Sequence, residues 1–421
     1  MSLTRPLTRP LTRPISRTDL TQGFGGSFSP FALNPYLLFD ARDSMVGALE
    51  NPTLDLNPAL PETLDVITAV RAGVATYTDA SGVIQSAIAN TVRVDHVDGV
   101  PMMLVEPSAT NLLPYSEEFS NAGWTKVNDV VVTPSSVDAP DGTTNAFKLS
   151  ELQLSDGDYG LSEYVVTAPS TSYTFSAYLK ATSDSDVGKK LRIRIRRSVG
   201  TSISASNHVT LTSEWVRHSV TIDLLSDNTS CWFVLTKDTS SPTAEQADEC
   251  LIWGAQVETG SVATSYIPTS GSTVTRAADD LTIAGSAFTD FFSTTEGTFY
   301  CEFQTKDTNP SYYLLNSQSE SARFFYSNGN TNIINSYDGV TTTALTGLQD
   351  NTLCRVALSI NSSEFRVSKD GSSEGVESHN GNLLTVPTEL RIGKSPYNSL
   401  PLNLNGHIKR VIYWPTHSDS L

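Results

Sequence analysis

Eight Asp-Gly or Asn-Gly dipeptides punctuate the chain, beginning at Asp98, Asp141, Asp156, Asn328, Asp338, Asp370, Asn380 and Asn405. These pairs enter the left-handed backbone region at low cost, which two-residue hairpin turns require. Between them run segments that alternate apolar and polar residues, the pattern of a strand with one face buried. In YTFSAYLK, Tyr173, Phe175, Ala177 and Leu179 share one face, while Thr174, Ser176, Tyr178 and Lys180 share the other, so a half-buried strand is expected. Phe299, Cys301 and Phe303 repeat the alternation, as do Val356, Leu358 and Ile360. SINSSEFRVSKDGSSEG carries the clearest hairpin turn, at Asp370-Gly371.

Composition agrees with an all-β protein. Only 17% of residues are charged and 38% are hydrophobic, with Ser, Thr, Asn and Gly filling the polar positions, a balance suited to many short strands and many turns. At 421 residues the chain exceeds one ordinary core, and about 150 residues per domain implies two or three folded units.

The net charge of −17 excludes nucleic acid as a main partner, because phosphate backbones are bound through clustered Lys and Arg. Four cations, Arg5, Arg9, Arg13 and Arg17, stand in the first 17 residues with no acid, so removing them takes the remainder from −17 to −21. Cys231, Cys250, Cys301 and Cys354 form no C-x-x-C pair and read as buried small hydrophobes. No apolar run reaches the roughly 18 residues of a membrane span or follows the N-terminal arginines as a signal peptide would. Assembly in a cytoplasm is expected, without membrane insertion.

The tetrapeptide Leu-Thr-Arg-Pro occurs three times in the opening MSLTRPLTRPLTRPISRT. Proline at every fourth position removes amide donors and holds the preceding residue extended, so an α-helix is excluded and an extended or polyproline-like segment is expected. As a docking peptide it would use Leu3, Leu7 and Leu11 as apolar pegs and Arg5, Arg9, Arg13 and Arg17 to pair with acids. As a plain leader it would have no partner. Residues 31–110 mix short apolar runs with six prolines and read as a linker and collar, including a hairpin at the Asp79 to Gly82 turn within VRAGVATYTDASGVIQSAIANTVRVDH.

Several motifs resemble a recurrent module of tailed-bacteriophage fibre and spike proteins. They are NLLPYSEEFSNAGWTK, APDGTTNAFKL, FSAYLKA and GAQVETGSVATSYIPTSGSTVTRAADDLTI, covering residues 111–283. The first also looks like the opening strand of jelly-roll carbohydrate-binding modules, with Asn111 to Leu113, Glu118-Phe119 and Trp124. Residues 285–421 are similar to laminin-G or concanavalin-like sandwiches through FRVSKDG, LRIGKSP and LNGHIKRVIYW. The resemblance implies a virion protein exposed on the particle surface, an N-terminal anchor to other capsid or tail proteins, a homotrimer, and contact with a host surface glycan. The expected architecture is an extended anchor (1–30), an irregular collar (31–110), a jelly roll (111–283) and a second antiparallel sandwich (284–421). The alternatives are an architectural capsid decoration or tail collar protein without receptor binding, and a polysaccharide depolymerase.

Catalytic signatures are absent. There is no G-x-S-x-G and no H-E-x-x-H, and the six histidines lie far apart. Gly393-Lys394-Ser395 has Thr388 where a phosphate loop needs its first glycine and reads as a turn at a strand end. Two carboxylates suffice for a glycosidase, and 45 acidic residues offer no way to choose a pair. The chain is therefore expected not to be an enzyme. Jelly-roll sugar modules often hold a structural calcium, for which Glu118 and Asp248 occupy matching places, against the simpler reading of solvated turn acids.

One strand stands apart. LRIRIRR places Leu191, Ile193 and Ile195 on a buried face and Arg192, Arg194 and Arg196 in a row outside, followed by Arg197. Arginine's planar fork suits carboxylates and phosphates, so the row fits an acidic polysaccharide or an acidic neighbouring subunit, against a merely solvated face. Tyr159, Tyr164, Tyr178, Trp215 and Trp232 are candidate sugar platforms or core, and Tyr178 joins the arginines as a candidate ligand-binding residue.

Overall fold

The computed structural model describes residues 49, 51–127, 129–152, 160–199, 204–238, 240–307, 311–318, 323–327, 333–337, 342–378, 387–396, 402–419 and 421. The leader, with Leu3, Arg5, Leu7, Arg9, Leu11, Arg13 and Arg17, lies outside them, as do the turns at Asp156, Asn328, Asp338 and Asn380. The protein is all-β, built from two antiparallel β-sandwiches.

The turn chemistry read from the sequence operates at two Asp-Gly pairs, whereas at Asn405-Gly406 neither residue is left-handed and Gly406 opens the strand Gly406–Trp414. Asp98-Gly99, at φ 50° and 78°, closes the hairpin of Arg93–Val97 and Val100–Val105, and Asp370-Gly371, at 48° and 86°, closes that of Glu364–Lys369 and Ser372–Ser378. Asp79 accepts from the amides of Ser81 and Val83 and so shapes the turn between Ala75–Thr78 and Ile84–Ala87.

The jelly roll pairs two five-stranded sheets. One runs in the order Val216–Asp223, Ser172–Lys180, Cys250–Thr259, Phe147–Ser150, Val131–Pro134. The other runs Ser204–Thr210, Lys190–Val199, Ser230–Lys237, Leu161–Val166, Thr125–Lys126. Phe175 and Leu179 from the first meet Ile193, Ile195, Phe233 and Leu235 from the second in one core. Each such side chain, taken out of water, contributes about 1.5–3 kcal/mol. Cys231 and Cys250 pack in it as free thiols. Gly160, at φ 132°, lies so close under the Leu235 carbonyl that a Cβ there would overlap it.

The opening motif is explained by this packing. Asn111 is fully buried and uses both ends of its amide: Nδ2 donates to Ala255 O and Ile267 O, and Oδ1 accepts from Leu113 N and Val257 N. It thereby ties the first strand of the module to its last. Phe119 and Trp124 pack as tilted rings in the core with centroids 5.1 Å apart, and Trp124 Nε1 donates to Tyr115 O.

The second sandwich draws strands from both sides of the jelly roll in sequence. Its eight-stranded sheet runs Ser372–Ser378, Glu364–Lys369, Cys354–Ile360, Gly297–Thr305, Gly406–Trp414, Val100–Val105, Arg93–Val97, with Leu54–Leu56 also on Gly406–Trp414. The seven-stranded sheet runs Thr68–Val70, Asp280–Ala284, Glu389–Ile392, Tyr312–Asn316, Arg323–Ser327, Ile333–Tyr337, Thr342–Thr346. Leu54, Leu56, Met103 and Val105 enter the same core as Phe299, Ile392 and Val411. The segment read as a collar thus supplies strands to this sandwich, and the jelly roll is inserted between Val100–Val105 and Asp280–Ala284. The entering and leaving chains pair with each other, Thr110 opposite Thr275.

A buried ionic cluster closes this neck. Asp279 accepts from Arg71 Nη1 at 2.9 Å and from Arg93, and Glu106 accepts from Arg93 Nη2 at 2.9 Å, Lys306 Nζ at 2.7 Å and the Ser265 amide at 2.7 Å. Arg276 Nη2 lies 3.4 Å from Glu106. Burial opposes ionisation of Glu106, but Lys306, Arg276 and Arg93 outweigh it and hold the carboxyl well below the usual range.

One expectation is corrected. In Ser172–Lys180 the face opposite the core is also covered, with Thr174 and Ser176 fully buried, so the strand is not half-exposed. The chain after the last jelly-roll strand lies over it. Thr174 Oγ1 donates to Gly260 O, and Arg217 bridges Thr264 O and Ser176 Oγ.

Candidate functional site

The outer face of the sheet that contains Lys190–Val199 carries the candidate site. Leu191, Ile193 and Ile195 are fully buried, so Arg192, Arg194 and Arg196 project from the opposite face, each half-buried. Neighbouring strands place side chains beside each of them by register. Arg196 stands between Ser204 and Trp232, Arg194 between Ser206 and Val234, and Arg192 between His208 and Thr236. Trp232 in turn lies opposite Tyr164 on the next strand.

Two kinds of chemistry therefore share the face. At one end the rings of Tyr164 and Trp232 meet edge to face, with centroids 5.2 Å apart. Tyr164 is 42% exposed and Val166, two residues on along the same face, is 74% exposed, which leaves an apolar strip in water. The same strand buries Leu161 and Val165, so alternation forces Tyr164 and Val166 outward.

At the other end Asp238, fully buried just beyond Ser230–Lys237, organises the polar groups. Its Oδ1 accepts from Ser240 N at 3.0 Å, Ser240 Oγ at 2.7 Å and Arg192 Nη2 at 3.3 Å. Its Oδ2 accepts from His208 Nδ1 at 2.7 Å and Ser241 Oγ at 2.8 Å. Burial would raise the pKa of this carboxyl, but the hydrogen bonds from Ser240, Ser241 and His208 outweigh it and hold it well below the usual carboxylate range. With Nδ1 donating to a carboxylate, His208 turns Nε2 away from Asp238, and the ring is largely exposed. Across from Arg192, the hydroxyl of Thr236 is buried without a hydrogen-bond partner among the described residues.

The remaining sequence candidates lie elsewhere. Tyr178 belongs to the other sheet, where it packs edge to face on Trp253 at 5.5 Å and lies under the Arg217 guanidinium. It stands apart from the arginine row. Trp215 donates from Nε1 to Asp138 O, and Tyr159 lies outside the described residues. Of the two carboxylates named for calcium, Glu118 accepts from Ser270 Oγ at 3.0 Å and Asp248 pairs with Lys237. Gly393-Lys394-Ser395 follows Glu389–Ile392 as a turn, with Gly393 at φ 66° and Lys394 paired to Asp280.

Two further groups were not singled out by sequence. Among the described residues one set of three metal-capable side chains converges, Glu364, His417 and Asp419, but Arg366 donates from Nε to Glu364 Oε2 at 2.7 Å and commits that carboxylate. Glu163 points into the jelly-roll core beside the loop at Gly123, with Oε2 buried and without a hydrogen-bond partner among the described residues. Desolvation raises its pKa to about 7 despite the nearby Lys126. Lys126 itself donates to Ser120 O and Asn121 O.

No protein-family model matches the chain, and no curated protein matches it. Solved structures similar to it include Trypanosoma rangeli sialidase in complex with 2,3-difluorosialic acid, at 13% identity and TM-score 0.27, covering 34% of this chain and 24% of that one. Another is the CBM22-1 xylan-binding domain from Paenibacillus barcinonensis Xyn10C, at 16% identity and TM-score 0.27, covering 37% of this chain and 94% of that one. A third is the Ruminococcus gnavus IT-sialidase CBM40 bound to alpha2,3 sialyllactose, at 15% identity and TM-score 0.26, covering 32% of this chain and 83% of that one. The match spans about a quarter of the length of the sialidase chains, 24% of the first. The expectation that the chain is not an enzyme is withdrawn, because sialidases stand among these structures. At this similarity they assign it no activity.

Proposed function

We propose that this protein binds glycans through the outer face of its jelly roll, as an attachment subunit displayed on a bacteriophage particle. The observation that carries the glycan reading is the pair of exposed side chains Tyr164 and Val166 beside the half-buried Trp232, on the same face as the arginine row. Sugar rings offer apolar C–H faces to aromatic side chains and hydroxyls to polar ones, and this face presents both. On the opposite jelly-roll sheet the chain after Thr259 lies over the middle strands, where Thr174 Oγ1 donates to Gly260 O and Thr221 Oγ1 to Ser261 O.

The virion assignment is supported by the sequence likeness of residues 111–283 to phage fibre modules and by the Leu-Thr-Arg-Pro leader. In this reading the leader anchors the subunit to capsid or tail proteins, and three copies form the fibre.

Binding of the full chain to purified host envelope glycans tests the first part, with Trp232→Ala and Tyr164→Ala expected to weaken it. Equal binding by the double variant would reject this face. Deleting residues 1–17 tests the second part and is expected to give folded protein that no longer enters particles. Sedimentation equilibrium is expected to return the mass of three chains.

A further inference from the structure

The segments that flank the hairpin of Ala75–Thr78 and Ile84–Ala87 leave apolar side chains in water. Val70 is 53% exposed, Val74 61% and Ile88 70%, and Ala72 and Ala89 beside them are exposed as well. Arg71 draws the two segments together. Its guanidinium donates to Ile88 O at 2.7 Å and to Thr91 O at 3.1 Å, and its carbonyl accepts from Asn90 N at 3.2 Å. We propose that copies of this chain associate through this patch, an inference that rests on the reading of the protein as an assembled subunit.

Charge argues for a second copy as the occupant. From Val66 to Thr78 and from Ala80 to Val92 the one charged residue is Arg71, and it is 2% exposed, turned inward onto Asp279. Asp280, across from Val70 in the sheet, is paired with Lys394. The patch is therefore uncharged on a chain of net charge −17. A basic partner is drawn to the acidic surface instead. A partner that is itself acidic is repelled by that surface and can approach where charge is lacking, and a second copy is such a partner.

The backbone gives the patch a further reason to be covered. Thr68–Val70 is the end strand of the seven-stranded sheet, and among the described residues no strand pairs with its outer edge. Open edges recruit other chains, and a contact over Val70 shields this one. The position also suits the proposed binding face. Ile84 of the hairpin packs with Trp253 of one jelly-roll sheet, whereas Tyr164 and Val166 stand on the outer face of the other. Association at Val70, Val74 and Ile88 leaves that outer face open to a ligand.

Sedimentation equilibrium of the full chain at two salt concentrations tests the proposal. The parent is expected to associate, and more tightly in salt, which screens the repulsion between like-charged copies. Val74→Asp with Ile88→Asp is expected to raise the dissociation constant at least tenfold with unchanged circular dichroism. Val187→Asp, at a valine 46% exposed elsewhere on the jelly roll, is expected to leave it unchanged. Hydrogen exchange of the parent needs no variant: amides of residues 72–74 and 88–90 are expected to gain protection as concentration rises. Association with neither response leaves the assembly standing and overturns this patch. A parent that stays monomeric at every concentration overturns both.

Discussion

Arg93 and Asp279 stand 186 residues apart in sequence, yet the guanidinium of one holds the carboxylate of the other with two donors, Nε and Nη2, in a fully buried site. Between them in sequence lies the whole jelly roll. The pair therefore joins the hairpin that precedes the insertion to the chain that returns from it, beside the strands that both give to the second sandwich. Arg71 shares the same carboxylate, and the Glu106 amide donates to it as well. Buried ion pairs of this kind add little over apolar packing, but removing one partner is costly because the others stay buried and charged.

Asp279→Ala is accordingly expected to destabilise the protein by about 3–5 kcal/mol, since Arg71 and Arg93 lose their common acceptor. Urea denaturation followed by tryptophan fluorescence measures it. A loss under about 1 kcal/mol, the range of an exposed pair, would show that the cluster does not clamp the neck.

Glu163 makes stability depend on pH. Its carboxyl stays protonated in the fold up to about pH 7, whereas in the unfolded chain it releases its proton near the ordinary value of 4.5. The unfolded state thus binds fewer protons between these values, and stability falls as pH rises from about 4.5 to about 7 and is level above. Glu163→Gln is expected to remove that fall, so the variant gains on the parent at pH 8 relative to pH 4. Parallel stability curves for the two proteins would reject the assignment.

The four cysteines are free and buried, and desolvation pushes the thiol of Cys231 up to about 11 and that of Cys354 up to about 12. The thiolate is the reactive species, so none is expected to react with a thiol reagent in the native state, and all four are expected to react in denaturant. Rapid labelling of the native protein would contradict the packing.

Local rules made much of this fold legible. Alternation in LRIRIRR placed Ile193 and Ile195 inward and the arginines outward, and Asp370-Gly371 announced its hairpin, because side-chain period and turn backbone are set by neighbours in sequence. Which strands join which sheet depends on partners far along the chain. Nothing local in Leu54–Leu56 or Val100–Val105 signals that they pair with Gly406–Trp414, some 300 or more residues later, and so they looked like a collar. Half of the candidate site was visible in the same way. Arg192, Arg194 and Arg196 were marked by their repeat, and Trp232 and Tyr164 were named, but their adjacency is a matter of register. Asp238 was missed because a lone acid after SCWFVLTK carries no pattern. Its role appears only once His208, from a third strand, reaches it.

Asp238 also offers a test of how that corner is held. Its pKa is depressed in the fold, so it contributes stability above its ordinary value of 3.8, and the contribution is lost as the carboxyl takes up a proton at lower pH. Asp238→Ala leaves Ser240, Ser241, His208 and Arg192 without their shared acceptor, and a loss of about 1–3 kcal/mol is expected at pH 7. The gap between parent and variant is expected to narrow below pH 3.8, where the carboxyl of the unfolded parent takes up a proton while that of the folded parent is still ionised, so the parent's advantage fades. In the same variant the His208 ring loses the acceptor that orients Nδ1, so its NMR signals are expected to report a mixture of tautomers in place of one. A single unchanged tautomer, or a stability gap independent of pH, would mean that Asp238 does not organise the rim of the arginine face.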